Sequence, residues 1–198
     1  MEAFEQHAGT CLPLRRSSVD TDQIVPSRFL KRVSRHGFED ALFASWREDP
    51  RFVLNSPEYA EASILVAGPD FGTGSSREHA VWALMDYGFR VVISPRFADI
   101  FRGNCGKRGL VAAQVEDIDQ ECLMSAVEAD STLRVSVDLP AQQIRFAGTI
   151  VPFQIDEHVK HRLLQGLDDI DLTERSEDRI SAYEQSRSNY LPRIHRPA

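Results

Sequence analysis

The centre of the chain alternates between apolar segments and segments with helical spacing, and this alternation restricts the fold more than any other feature. The apolar segments cover residues 62–67, 89–94 and 109–115, and the helical spacing covers 76–87 and 96–102. Strand, helix, strand, helix, strand is the pattern of an α/β unit whose strands run largely parallel. We therefore expect an α/β fold with a central, largely parallel sheet flanked by helices.

The segments on either side extend this arrangement without a repeat or a low-complexity linker. Residues 10–16 predict a short strand, and the spaced apolar positions of 38–46 predict another helical piece. Alternating apolar positions later in the chain predict a β-hairpin that turns at Ala147 and Gly148. Strands are expected at 133–137, 142–146 and 149–154, helices at 117–129 and 156–166, and a charged helical tail at about 168–198. We expect residues 1–198 to form a single domain.

Composition and charge exclude several classes of protein. The chain has 30 acidic and 23 basic residues and a formal net charge of −7, which disfavours a broad nucleic-acid surface. No apolar run reaches the length of a membrane span. Residues 1–9 lack the basic start and apolar core of a signal peptide. We expect a cytoplasmic protein that binds neither nucleic acid nor a membrane.

Cysteine and histidine are too scattered to suggest a metal site on this chain. The three cysteines, Cys11, Cys105 and Cys122, contain no Cys-x-x-Cys pair. His158 and His161 could share a helix face, but no third ligand accompanies them. We expect neither a disulfide framework nor a bound metal or iron–sulfur cluster.

A glycine-rich turn follows the first apolar strand, at residues 68–79 (GPDFGTGSSREH). Glycines at 72 and 74 allow backbone torsions that other residues avoid, so the chain can turn tightly and leave its N–H groups accessible. Ser75 and Glu78 have the spacing of a capping box, which predicts a helix beginning at Ser76. Arg77 would then lie in the first helical turn, where a cation opposes the helix dipole. An anion between the helix N-terminus and the guanidinium would resolve this conflict, so we predict a carboxylate site.

Other anion-binding and nucleophile motifs do not fit this turn. The spacing Gly-x-Gly-x-x-Gly fails because Arg77 stands three residues after Gly74, and no Gly-Lys-Ser/Thr closes the turn. No Gly-x-Ser-x-Gly elbow is present either. Two roles remain open for Ser75. It can simply cap the helix, or aligned N–H groups and a nearby cation can stabilise its alkoxide as a base.

Residues 70–80 (DFGTGSSREHA) resemble the signature of the aconitase swivel domain. Further segments at 19–26 (VDTDQIVP), 82–93 and 97–101 resemble the 3-isopropylmalate dehydratase small-subunit family, and the resemblance covers essentially the full length. It implies an aconitase swivel-like β/β/α domain. This chain differs from many family members at Asp70 and Thr73, where asparagine and cysteine are common. We expect Asp70 to point away from the anion site or to pair with a cation.

The resemblance implies a two-chain hydro-lyase of leucine biosynthesis that isomerises 2-isopropylmalate to 3-isopropylmalate through 2-isopropylmaleate. The partner would be a large subunit whose [4Fe-4S] cluster acts as a Lewis acid on the leaving hydroxyl, while this chain binds no cofactor. By motif position, Ser75 would take the carbon-bound proton and Arg77 would hold a substrate carboxylate. Ser76 would donate a hydrogen bond to the substrate.

The resemblance also assigns a flexible, substrate-discriminating loop to residues 28–37. Leu30 and Val33 could contact an isopropyl group, whereas Lys31 and Arg32 could reach a carboxylate or form a solvated basic loop. Two alternatives to the isopropylmalate enzyme remain. One is a small subunit for a related acid such as citraconate, citramalate or homoaconitate, and the other is a non-catalytic carboxylate-binding module.

Overall fold

Eight strands form two four-stranded sheets within residues 1–188, the part of the chain that the computed structural model describes. The strands are β1 (Gln6–Gly9), β2 (Cys11–Leu14), β3 (Ile64–Ala67), β4 (Val91–Ser94), β5 (Val111–Gln114), β6 (Val135–Asp138), β7 (Gln143–Phe146) and β8 (Thr149–Pro152). One sheet has the order β2-β3-β4-β5 and is parallel throughout. The other has the order β1-β6-β7-β8 and is antiparallel. The predicted α/β class and the parallel central sheet are confirmed.

Helices connect and cover the parallel sheet. They are α1 (Thr21–Ile24), α2 (His79–Tyr87), α3 (Asp99–Arg108), α4 (Asp117–Ala129), α5 (Glu157–Gln165), α6 (Asp169–Glu174) and α7 (Glu177–Ser186), with single 3-10 turns at Ser27–Lys31, Val53–Asn55 and Pro57–Tyr59. Helix α4 packs on β2, β3 and β4, while α3 packs on α2 and α5. Strands β3 and β4 are buried along their whole length, which explains why all their residues except Ser94 are apolar. None of the helices within residues 1–188 is long and apolar enough to span a bilayer.

The antiparallel sheet contains the predicted hairpin. Strands β7 and β8 are joined at Ala147 and Gly148, whose φ angles of 45° and 79° both lie in the left-handed region. Such torsions match the twist of a two-residue hairpin turn. Strand β1 adds to the far side of β6, so the sheet has one strand more than the sequence pattern indicated.

Two helix predictions were wrong in detail. Residues 38–46 form successive turns rather than a helix, because Phe43 has a φ of 49° and its N–H donates to the carbonyl of Ile24 at 2.8 Å. The helix expected at 96–102 begins only at Asp99 and continues to Arg108, since the backbone before it is bonded to the glycine-rich turn. The predicted charged tail forms α6 and α7, and its last part, residues 189–198, lies outside the described residues.

Candidate active site

A cavity of about 250 Å³ lies beyond the carboxyl ends of β3 and β4, where parallel sheets commonly bind ligands. Its walls come from three separate parts of the chain: the start of α1, the glycine-rich turn and the first half of α3. The side chains and backbone that matter most for its chemistry belong to Thr21, Gly74, Ser75, Arg77, Ile100 and Asn104. Ser75 and Arg77, both predicted from the sequence, therefore lie in the same cavity.

Backbone hydrogen bonds hold the glycine-rich turn on both sides. On one side, the N–H of Phe71 donates to the carbonyl of Arg96 and its carbonyl accepts from the N–H of Ala98, both at 3.0 Å. On the other side, the N–H of Gly72 donates to the carbonyl of Val19 at 2.8 Å. These pairs are single bridges of parallel β type, so the turn continues the sheet beyond its last regular residue.

One buried hydroxyl joins the turns that leave the two central strands. The Ser94 side chain is fully buried at the end of β4, and its Oγ lies 2.8 Å from the carbonyl of Gly68 and 3.0 Å from that of Arg96. Gly68 follows β3, whereas Arg96 follows β4. The two cavity walls built from these turns are therefore connected through Ser94.

Glycine is required where the turn passes α3. Gly72 has a φ of 79°, and a Cβ at this position would overlap the side chain of Phe101. Gly74 has a φ of 94° and lies against the hydroxyl of Thr21. The turn can approach α1 and α3 this closely because both positions lack a side chain.

The capping box predicted for Ser75 is wrong. Helix α2 begins at His79, with Glu78 at the N-cap and no side-chain cap, and the Glu78 carboxylate instead lies 3.1 Å from Nε of Arg108. The Ser75 carbonyl accepts a hydrogen bond from the Thr21 hydroxyl at 3.1 Å, which holds it outside the helix. A tertiary contact thus replaces the local cap that the spacing suggested.

This arrangement leaves a row of backbone donors in front of α2. The N–H groups of residues 74–78 have no acceptor within residues 1–188, and the Ser75 hydroxyl has no partner there either. The donors precede a helix N-terminus, where the dipole also favours negative charge. The turn can therefore bind an anion or stabilise negative charge on the Ser75 oxygen.

Arg77 lies two residues before α2, not in its first turn as predicted. One of its terminal nitrogens, Nη1, pairs with the carboxylate of Asp22 in α1. Its side chain is only 21% exposed. The sequence predicted a negative charge beside this cation, and in the structure Asp22 supplies one.

Most of the other cavity residues were not recognised as site residues from the sequence, and three of them bear directly on its chemistry. Ile100 and Asn104 lie four residues apart on α3 and so share one helix face, which is the signal that could have identified them. The Asn104 amide is half-buried and has no hydrogen-bond partner in the described part of the chain. Thr21 is buried and donates to Ser75. Opposite the glycine-rich turn, the cavity therefore offers a neutral amide and apolar surface, together with the Asp99 carboxylate, which pairs with Arg102 at 3.0 Å.

The other predicted site residues do not line this cavity. Leu30 is half-buried, Lys31 is exposed, and Val33 is 99% exposed. Arg32 forms two hydrogen bonds of 2.7 Å to the carboxylate of Asp40. Ser76 is exposed beside Ser75. Their contacts with a substrate stay predictions.

The charged groups around the turn are paired or shielded. Asp70 pairs with Arg96, as predicted, with one contact at 2.9 Å, and this guanidinium lowers the pKa of the carboxyl. Burial lowers the pKa of His79, whose ring lies 4.5 Å from that of Trp82. Residues 1–188 bring together no group of three or more histidine, cysteine, aspartate and glutamate side chains able to hold a metal ion.

Comparison with known proteins identifies the family. The family model described as "Aconitase C-terminal domain" matches residues 1–117, and a second model, LeuD_N, matches residues 121–157. The solved structure of 3-isopropylmalate dehydratase (LeuD) from Methanocaldococcus jannaschii shares the fold, with a TM-score of 0.66 and 23% identity. The match covers 89% of this chain and 98% of that one.

Curated relatives are much more similar in sequence. The 3-isopropylmalate dehydratase small subunit of Corynebacterium kroppenstedtii is 60% identical, over 98% of this chain and 99% of the relative. That of Mycobacterium sp. (strain KMS) is 61% identical over 98% of each chain. Since these matches span nearly the whole chain, it belongs to the family of 3-isopropylmalate dehydratase small subunits.

Proposed function

We propose that this chain is the small subunit of 3-isopropylmalate dehydratase. Together with an iron–sulfur large subunit in the cytoplasm, it isomerises 2-isopropylmalate to 3-isopropylmalate through 2-isopropylmaleate, a step of leucine biosynthesis. The observation that carries this proposal is the cavity lined by Ser75, Arg77 and Gly74, whose backbone N–H groups have no acceptor within residues 1–188. The high identity to curated small subunits supports the same activity.

Substrate binding would use the positive side of the cavity. Isopropylmalate carries two carboxylates, and a guanidinium can bind one of them through two parallel hydrogen bonds. Arg77 is the guanidinium that lines the cavity. The N–H groups before α2 could receive further negative charge, and the Asn104 amide could bind the substrate from α3.

Ser75 Oγ would take the proton from the carbon next to a carboxylate and return it during rehydration. A serine hydroxyl is a poor base in water, so the site must favour its alkoxide. Backbone N–H groups and the Arg77 cation lie on the same turn and can provide this stabilisation. The Ser75 hydroxyl makes no hydrogen bond within the described residues, so its oxygen is available to accept the proton.

The second half of the site would come from the large subunit. Its [4Fe-4S] cluster would supply a Lewis acid for the leaving hydroxyl. Ile100 is 55% exposed at the cavity wall, so apolar surface remains there for the substrate or the partner to cover. We also propose that Leu30 and Val33 contact the isopropyl group, that Lys31 and Arg32 lie near a carboxylate, and that Ser76 donates to the substrate once the two chains are together.

Anaerobic reconstitution tests the proposal. The purified chain is mixed with the large subunit and supplied with 2-isopropylmalate, and 3-isopropylmalate is measured by chromatography. We expect isomerisation only when both chains are present. Higher specificity constants for citraconate or homoaconitate would assign the chain to a related hydro-lyase. Tight binding of isopropylmalate by the isolated chain, without activity in the mixture, would instead support a carboxylate-binding module.

A further inference from the structure

We propose that Asp22 is a positioning residue for Arg77. It holds the guanidinium through one terminal nitrogen and leaves the remaining N–H groups for a substrate carboxylate. This inference rests on the proposed function, since it assumes that Arg77 binds an anionic substrate.

Asp22 is not used by the short helix that carries it. Helix α1 is fixed at its start by Asp20 and Gln23: the Asp20 carboxylate accepts from the N–H of Gln23 at 2.8 Å. In return, the Gln23 side chain accepts from the N–H of Asp20 at 2.9 Å. The Asp22 carboxylate takes no part in this capping box, and Arg77 is its hydrogen-bond partner within residues 1–188.

The two segments that carry the pair are already bonded to each other. The N–H of Thr21 donates to the carbonyl of Thr73 at 2.8 Å, and its hydroxyl donates to the carbonyl of Ser75. Asp22 directly follows Thr21, and Arg77 lies two residues after Ser75. The Thr21 hydrogen bonds therefore fix the backbone close to Arg77, and the ion pair with Asp22 fixes the position of its guanidinium.

Arg77 has hydrogen-bond donors left for a second carboxylate. A guanidinium has five N–H donors in one plane, and a bidentate carboxylate needs two of them. Asp22 engages Nη1 alone, while Nε and Nη2 of Arg77 have no acceptor among the described residues. Asp22 also carries a negative charge, which by itself would weaken the attraction between Arg77 and an anion. If Asp22 orients Arg77, its removal weakens substrate binding. If Asp22 competes with the substrate for Arg77, its removal strengthens substrate binding.

Kinetics of the two-chain enzyme separate these effects. If Asp22 orients Arg77, Asp22→Ala raises the KM for 2-isopropylmalate by about 10- to 100-fold, with a smaller change in kcat, because the carboxylate-binding group is displaced. Asp22→Asn stays within about threefold of the wild type, since its amide oxygen still accepts from Nη1.

Asp49→Ala is the matched control. Asp49 pairs with Arg51 away from the cavity and is 51% exposed, close to the 54% of Asp22. We expect wild-type kinetics from this variant. A lower KM in Asp22→Ala would mean that Asp22 competes with substrate, and unchanged kinetics would mean that it does not act on Arg77. Either result would overturn the inference.

A second measurement is independent of activity. In the isolated small subunit, nitrogen-15 NMR of the arginine side chains should show hindered rotation at Arg77 Nη. The Arg77 signal is assigned as the one that disappears in Arg77→Lys. Asp22→Ala should remove this hindrance and Asp22→Asn should retain it. Free rotation in the wild type would refute the positioning role. Hindered rotation in a chain whose reconstituted complex does not isomerise isopropylmalate would refute the proposed function instead.

Discussion

The glycine-rich turn at 68–79 and the basic loop at 28–37 were both expected to contact the substrate, yet the two are held in place in different ways. The turn is bonded to the backbone on both sides and lines the cavity. The loop is held at Arg32 by an ion pair with Asp40, and Val33 extends into solvent. An exposed ion pair contributes little to stability, about 0–1 kcal/mol, whereas the turn shares the hydrogen bonds of the sheet. The proposed catalytic chemistry thus belongs to the region whose position the fold determines.

The largest expected effect tests the turn at its centre. Ser75→Ala should lower kcat by about 10³-fold, in the range of a lost acid–base group, with KM changed only a few-fold. Ser125→Ala is the control and should retain wild-type activity, because Ser125 is exposed on α4 and does not line the cavity. Steady-state kinetics of the reconstituted enzyme provide the measurement, and full activity in Ser75→Ala would exclude Ser75 as the base.

The next effect concerns the cation of the same turn. Arg77→Lys should reduce kcat/KM by about 10²-fold, because one ammonium cannot make the paired hydrogen bonds of a guanidinium to a carboxylate. The loss should fall mainly on KM. If KM and kcat both match the wild type, the substrate carboxylate is bound elsewhere.

A third change tests whether the turn needs its close packing. Gly72→Ala adds a Cβ against Phe101 at a positive φ, which should lower the free energy of unfolding by about 1–3 kcal/mol. Gly148→Ala is a useful control, since its φ is also 79° but no atom lies within contact distance of the added Cβ. Urea denaturation compares the two variants, and an equal loss of stability would show that packing against α3 is unimportant.

The smallest effect probes the loop. Val33→Ala should lower kcat/KM for isopropylmalate by about fivefold, the value of roughly one lost hydrophobic contact, and leave citraconate hydration unchanged. Stability should not change because Val33 is 99% exposed. An unchanged preference between the two substrates would confine substrate recognition to the turn and leave the loop without a role in specificity.

The regular parts of the fold were accessible from the sequence. Strands β3 and β4 are buried on both faces, so their almost entirely apolar sequences identified them. Helix α4 has the predicted bounds because its apolar spacing is regular. The start of α2 was missed. Ser75 and Glu78 satisfy a local rule, but Thr21, more than fifty residues away, takes the Ser75 carbonyl into a tertiary hydrogen bond.

The cavity was predictable only in part for the same reason. Ser75 and Arg77 belong to one continuous motif. Asn104 lines the cavity from α3, and Asp22 contacts Arg77 from α1. Nothing in the local sequence of α1 indicates that Asp22 will meet a guanidinium. Such pairings depend on how distant segments are positioned in the fold, and the spacing of residues within one segment carries no information on this.

The connection through Ser94 has a consequence for assembly. Since its buried hydroxyl ties together the turns after β3 and β4, two of the three cavity walls are held in place by hydrogen bonds within this chain. Molecules that order flexible loops on binding lose affinity to conformational entropy. A partner that binds at this edge would meet a surface that is already ordered. Less binding free energy would then be lost to ordering the loops, and the affinity would be higher.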